Sequence, residues 1–178
     1  MLGHGMKLTI LTTGGTIDKT YDEYAGSLAN VRSVLDEILD SLRLPDVFIR
    51  HLAVMHKDSL ELTEDDRYAI LRAVKDALAS SDAVIVLHGT DTLSKTGEVL
   101  YAGLEDVDVP VILTGAMRPY EFRDSDALQN VTEALLAARL AEPGVYVVMH
   151  NRVLPFPGII KDRRVGEFRP RRESNGAT

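Results

Sequence analysis

The sequence predicts a single α/β domain, three layers deep, with helices on both faces of a mostly parallel sheet. Three observations predict it. Short apolar runs of strand length alternate with segments of helical periodicity along the 178 residues. No tight-turn signal joins one core strand to the next, so each connection is a crossover. The strands are apolar throughout instead of alternating, as strands covered on both sides are. The resulting arrangement is Rossmann-like or flavodoxin-like.

Each element has its own local reason. Residues 7–13 (KLTILTT) read as a buried strand that stops at Gly14-Gly15. Val31, Val34, Leu35, Ile38, Leu39 and Leu42 recur at helical spacing, so 30–44 reads as an amphipathic helix closed by Pro45. Residues 47–54 read as a strand. Thr63 with Asp66 makes a capping-box-like start to a helix with Ile70, Leu71, Val74, Ala77 and Leu78 on one face. A second buried strand, 83–89 (AVIVLHG), precedes a helix over 93–104. Residues 109–116 (VPVILTGA) are the next strand, and Asp124 or Ser125 caps a long helix through Leu140. The last core strand is 144–150 (GVYVVMH). Residues 1–5 precede a second methionine, Met6, and read as an expression remnant. Residues 169–178 are basic and poor in apolar side chains, and read as a flexible tail.

Composition narrows the function. Hydrophobic residues make up 45% and charged residues 26%, ordinary for a soluble globular domain. The net charge of −7 argues against a nucleic-acid or anionic-membrane binder, since no dominant basic field exists. With no cysteine there is no disulfide, no thiolate catalysis and no cysteine-ligated metal. Nothing resembles a signal peptide or a spanning segment, and a cytoplasmic location is expected. His4, His51, His56 and His150 lack metal-ligand spacing, so neither a metal nor another cofactor is expected.

In open parallel α/β sheets, ligands bind outside the carboxyl ends of the strands. Three polar, glycine-containing loops leave strands at that edge: TTGGT, HGTDT and TGAMRP. A parallel sheet opens all three on one rim. A phosphate cradle is disfavoured. Neither G-x-x-x-x-G-K-[ST] nor G-x-G-x-x-G is present, and Asp18, Asp22 and Glu23 would repel a polyanion. A threonine nucleophile needs a base or a lowered pKa. His88 ends a strand and reads first as a hydrogen-bonded core histidine. Asp91 beside Thr90, Tyr21 and Tyr24 behind Thr16, and the lysines are the other activators. These threonines serve equally well as turn and capping residues, so the residues alone leave the choice open.

At TTGGTI, LHGTDT and TGAMRP the sequence resembles the L-asparaginase family, amidohydrolases with a threonine nucleophile. The first two segments are the family's two signatures, in the right order and each after a strand. DSLELT (58–63) and GIIKD (158–162) extend the resemblance, which runs from about residue 7 to 168. It implies that 6–168 is a domain of the asparaginase N-terminal type. It implies L-asparagine hydrolysed to L-aspartate and ammonia through an acyl-enzyme, with weak glutaminase activity. Thr16 matches the nucleophile, and Thr90, Asp91 and Lys161 match the family's second catalytic group. Ser59, beside Asp58 and Gly15, matches the serine that binds the substrate's α-carboxylate. Asp91 also matches the acid on the α-amino group, and the Ala116 carbonyl matches the contact to the amide nitrogen. Tyr21, with Tyr24 as the other choice, stands for the tyrosine that assists the nucleophile.

The resemblance also implies a homodimer or homotetramer, with a small-molecule substrate and no nucleic-acid or membrane partner. Most family members carry a second, C-terminal domain, which supplies an acid to the α-amino site of a neighbouring subunit. The sequence resembles the short, single-domain type without it. Two alternatives stand beside asparagine hydrolysis. One is an amidohydrolase for another amide, such as a glutaminyl group on a partner. The other is a non-catalytic amino-acid-binding domain.

Overall fold

Both faces of the first apolar run find cover, so it lies inside the sheet as β1 (Met6–Gly14). Leu8 and Ile10 pack on one face and Leu11 on the other, all buried. The computed structural model describes residues 5–171. A single 3₁₀ turn, Thr16–Asp18, leads from β1 into a small hairpin of β2 (Lys19–Asp22) and β3 (Ser27–Asn30). Then follow α1 (Leu35–Asp40), β4 (Val47–Lys57), a 3₁₀ turn at Ser59–Glu61, and α2 (Glu64–Leu78). The remainder is β5 (Ala83–Leu87), α3 (Leu93–Gly103), β6 (Pro110–Thr114), α4 (Ala127–Leu140) and β7 (Gly144–Met149). Three short strands end it: β8 (Arg152–Pro155), β9 (Ile159–Asp162) and β10 (Glu167–Pro170).

The main sheet runs β4–β1–β5–β6–β7–β8. All neighbours pair in parallel except β7 with β8. Counting the five parallel strands in chain order gives 2-1-3-4-5, the flavodoxin-like order. Its winding reverses between β1 and β5, and that crevice is where such folds bind ligands. Two cores flank the sheet. Leu35 and Ile38 of α1 and Val131, Ala134 and Ala138 of α4 cover one face. Ile70, Leu71 and Val74 of α2 and Leu93 and Leu100 of α3 cover the other. The expected three-layer α/β/α arrangement is thus what the chain adopts. Among the described residues no helix is long and apolar enough to cross a membrane.

Thr63 forms a full capping box with Asp66, as its spacing predicts. The helix expected over 30–44 is shorter. Asp18 accepts from the Val34 N–H at 2.9 Å and the Ser33 hydroxyl at 3.0 Å, and this side-chain acceptor from outside the helix sets its start. Asn30 is drawn into the hairpin, and Val31, after it, stays exposed. β4 runs three residues beyond 54, to Lys57, because Gly14 continues the pairing there. The long helix starts at Ala127; Ser125 accepts from its N–H at 3.1 Å, while Asp124 forms an ion pair with Arg118. Residues 169 and 170, expected in the tail, instead belong to β10. Arg169 pairs with Ile160 in β10 and its Nε donates to Asp162 at 3.1 Å, with Phe168 buried beside them. The rest of that tail, 172–178, and leader residues 1–4 lie outside the described residues.

Candidate active site

The reversal of winding presses the loop after β1 against the loop after β5. Gly14 and Gly15 hold φ of 94° and 87°, a region that suits glycine, and the Gly15 N–H donates to the Lys57 carbonyl at 2.9 Å. A Cβ on Gly15 would stand 2.3 Å from the Gly89 Cα. A Cβ on Gly89 would stand 2.5 Å from the Ser59 Cβ and 3.1 Å from the Gly15 Cα. Three chain segments therefore meet where only glycine fits. One on Gly115 would lie 2.2 Å from the His88 carbonyl oxygen, which brings the third loop alongside. Thr16 and Thr90 each follow one of the touching glycines.

Burial separates the three threonines of the first loop. Thr12 is sealed and its hydroxyl meets His51 Nε2 at 3.0 Å. Thr13 is sealed too and donates to the Leu87 carbonyl at 2.9 Å. Thr16 is half-buried at the head of its 3₁₀ turn, whose Lys19 N–H closes on the Thr16 carbonyl.

Lys161 enters from β9, far along the chain, and joins the second loop. Its Nζ donates to Thr90 Oγ1 at 2.7 Å and to Asp91 Oδ1 at 3.0 Å. Thr90 is buried, and the lysine side chain is only 14% exposed. Arg163 adds a second cation 3.5 Å from the same Asp91 oxygen. The three residues Thr90, Asp91 and Lys161 thus form one hydrogen-bonded group. A hydroxyl, a carboxylate and a lysine in that contact can relay a proton and stabilise developing negative charge.

The supporting residues are less obvious. His88 is fully buried. A carbonyl only accepts, so its Nδ1–H donates to the Gly89 carbonyl at 2.8 Å, and its Nε2 accepts from the Thr96 hydroxyl at 2.8 Å. Burial pushes its pKa down to about 4. It is a neutral core histidine that fixes the loop. Ser59 is buried at the floor of the rim, and the Thr92 hydroxyl donates to its carbonyl at 2.7 Å. Asp58 caps the Ser59 turn by accepting from the Leu60 N–H at 3.0 Å. Lys19 donates to its other oxygen at 2.6 Å and holds the carboxyl below its usual range.

Under the third loop, Asp126 accepts from the Met117 and Arg118 N–H groups, from Asn130 and from His150 Nε2. Burial pushes its carboxyl up, but these bonds outweigh burial and leave it below its ordinary value. Asn130 Nδ2 donates to the Gly115 carbonyl at 2.9 Å, and this knot sets the path of buried Ala116. Tyr21 is 60% exposed and Tyr24 94% exposed on the hairpin. Lys19, Asp126, Asn130 and His150 carry no motif of their own; Lys19 meets Asp58 39 positions on, and His150 reaches back 24 positions to Asp126.

The family model described as Asparaginase, N-terminal, matches residues 7–165. The chain is 33% identical over 149 residues to an L-asparaginase of Thermococcus kodakarensis, covering 84% of this chain and 45% of that protein. It is 31% identical over 148 residues to a subunit of the glutamyl-tRNA(Gln) amidotransferase of Methanococcus vannielii, covering 82% of this chain and 34% of that one. The solved thermostable L-asparaginase from Thermococcus kodakarensis superposes with a TM-score of 0.85 at 32% identity, over 93% of this chain and 51% of that chain. A probable cytoplasmic L-asparaginase from Campylobacter jejuni gives 0.75 at 25% identity, over 92% and 51%. The chain spans less than half the length of these curated relatives.

Proposed function

This chain belongs to the asparaginase family, and on that premise we propose that it hydrolyses L-asparagine to L-aspartate and ammonia, with Thr16 as nucleophile. The observation that carries the reading is the convergence at the winding switch. Thr16 is the accessible hydroxyl of its loop, and it follows a glycine in contact with the one before Thr90. The bonded group of Thr90, Asp91 and Lys161 stands on the same rim.

The Thr16 Oγ attacks the amide carbonyl carbon, and its proton passes to an acceptor on the rim. Backbone N–H groups, that of Thr90 among them, hold the oxyanion; one such donor is typically worth about 3 kcal/mol of barrier. The C–N bond breaks, the nitrogen takes a proton, and ammonia leaves an aspartyl ester on Thr16. Water, positioned by Thr90 and Lys161, attacks that ester and returns the hydroxyl. Asp91 holds Lys161 in place through Oδ1, and the substrate ammonium pairs with its Oδ2. Ser59 binds the α-carboxylate, with Asp58 and Gly15 shaping its turn and its cover. The Ala116 carbonyl accepts from the amide nitrogen.

Tyr21 is preferred to Tyr24 as the residue assisting Thr16. Strand side chains alternate, so Lys19 and Tyr21 share one face of β2. Lys19 reaches Asp58, beside Ser59, so this face turns toward the rim. The catalytic residues proposed all lie within 6–168, which acts as a unit of the asparaginase N-terminal type. Exposed Leu136 and Leu140 on α4 support assembly as a homodimer or homotetramer. A cytoplasmic location is supported by the Campylobacter neighbour, itself described as cytoplasmic.

The Methanococcus relative favours a second reading, an amide on a larger partner, because an amidotransferase subunit shares this domain. One assay separates the two. Ammonia released from free L-asparagine, and lost in Thr16→Ala, supports asparagine hydrolysis. Release from a glutaminyl group on a macromolecule with none from free asparagine or glutamine selects the second reading. Glutamine is one methylene longer, a difference worth about 1–3 kcal/mol, so a slower glutaminase rate is expected alongside.

A further inference from the structure

We propose that Lys19 is a specificity-determining residue that recognises the carboxylate of the substrate, held beside Ser59 by its ion pair with Asp58. The inference deepens the function proposed above and rests on it. Lys19 stands at the end of the Thr16 turn, where its backbone N–H closes on the Thr16 carbonyl. Its side chain crosses to the neighbour of Ser59 and donates to Asp58 Oδ2 at 2.6 Å. The ammonium therefore bridges the nucleophile's turn and the turn of the carboxylate-binding serine. It has three protons, of which Asp58 takes one, and its side chain stays about a quarter exposed at 26%.

The charges around it define what it selects. Asp58 offsets Lys19 on the Ser59 side. On the Thr90 side, Lys161 and Arg163 face the single carboxylate of Asp91. Among the described residues, these two pairings set three cations against two carboxylates, an excess suited to one anionic group. A small amide with a free carboxylate fits. An amide whose carboxyl is esterified or amidated lacks the partner that Lys19 offers, so the residue separates free amino-acid amides from carboxyl-blocked ones.

The test uses the full chain and L-aspartate as the probe, with binding read by calorimetry and turnover by ammonia release. Lys19→Met is expected to weaken aspartate about tenfold and to raise KM for asparagine by a similar factor, the loss of one charge-assisted hydrogen bond. Lys19→Arg recovers part of it. A lysine that merely buckles the hairpin to the sheet predicts an equal loss of turnover on amides with and without a carboxylate. That result overturns the proposal, as does unchanged aspartate affinity in Lys19→Met. β-Alaninamide, which is asparagine without its carboxylate, serves as the folding and activity control: its turnover is expected to be equal in wild type and Lys19→Met. A tenfold loss on β-alaninamide as well also overturns it. If wild type binds aspartate but releases no ammonia from asparagine, the proposed hydrolysis fails while the binding comparison still decides the role of Lys19.

Discussion

Gly89→Ala places one methyl group where the glycine turn meets Ser59. Gly89 has no positive φ to preserve, so the perturbation is steric alone. The new carbon would sit 2.5 Å from the Ser59 Cβ and 2.6 Å from its Oγ. Carbon atoms pack at about 3.5–4.0 Å, so Ser59 or the loop must yield by roughly 1 Å. Thr92 holds the Ser59 carbonyl, and His88 holds the Gly89 carbonyl from within the core. Both sides resist the shift. A displacement of about 1 Å of a positioning group costs roughly 100-fold in rate. Overpacking of this kind destabilises by about 1–3 kcal/mol. Steady-state ammonia release should show kcat/KM falling about 100-fold, while urea melts keep a cooperative transition at lower denaturant. A variant within about threefold of wild type would refute the close packing of Ser59 against this loop as a condition for activity.

Two further outcomes follow from named contacts. Lys161→Met removes the donor to Thr90 and Asp91, and kcat should fall by about 10²–10⁴, the range for a lost acid–base group; a loss under about tenfold argues against its role. His88 has a folded pKa of about 4, below the ordinary value of 6.5 it regains on unfolding. The unfolded chain then binds more protons between those values, so His88 costs stability as pH falls from about 6.5 to about 4, by about 3 kcal/mol in all. Burial pushes the Asp18 carboxyl up and works in the opposite sense, so the comparison is wild type minus His88→Gln. Parallel pH–stability curves for the two proteins would contradict this reading of His88.

Legibility in the sequence followed the range of the interactions. The five parallel strands and the Thr63–Asp66 box were visible because apolar runs and capping are local. The three-loop rim was visible because a parallel sheet opens its carboxyl-end loops on one side. The hairpin after Asp18 was not: its tip, Asp22 to Gly26, lacks an Asn-Gly pair, and Asp22 makes the turn by accepting from the Tyr24 and Ala25 N–H groups. Helix α1 was overestimated because an acid sixteen residues upstream, Asp18, caps it. Lys19 looks like a solvated lysine in the sequence because its partner, Asp58, stands 39 positions away. The choice among Thr12, Thr13 and Thr16 could not be made from composition and spacing. The resemblance named Thr16, and the burial of the other two supports that choice.

The most direct measurement is peptide mapping of the enzyme quenched in acid during turnover of L-asparagine. Thr16 as nucleophile predicts an aspartyl ester on that residue, transient in wild type and absent from Thr16→Ala. An ester on Thr90 or on any other side chain, during turnover at the normal rate, would contradict it.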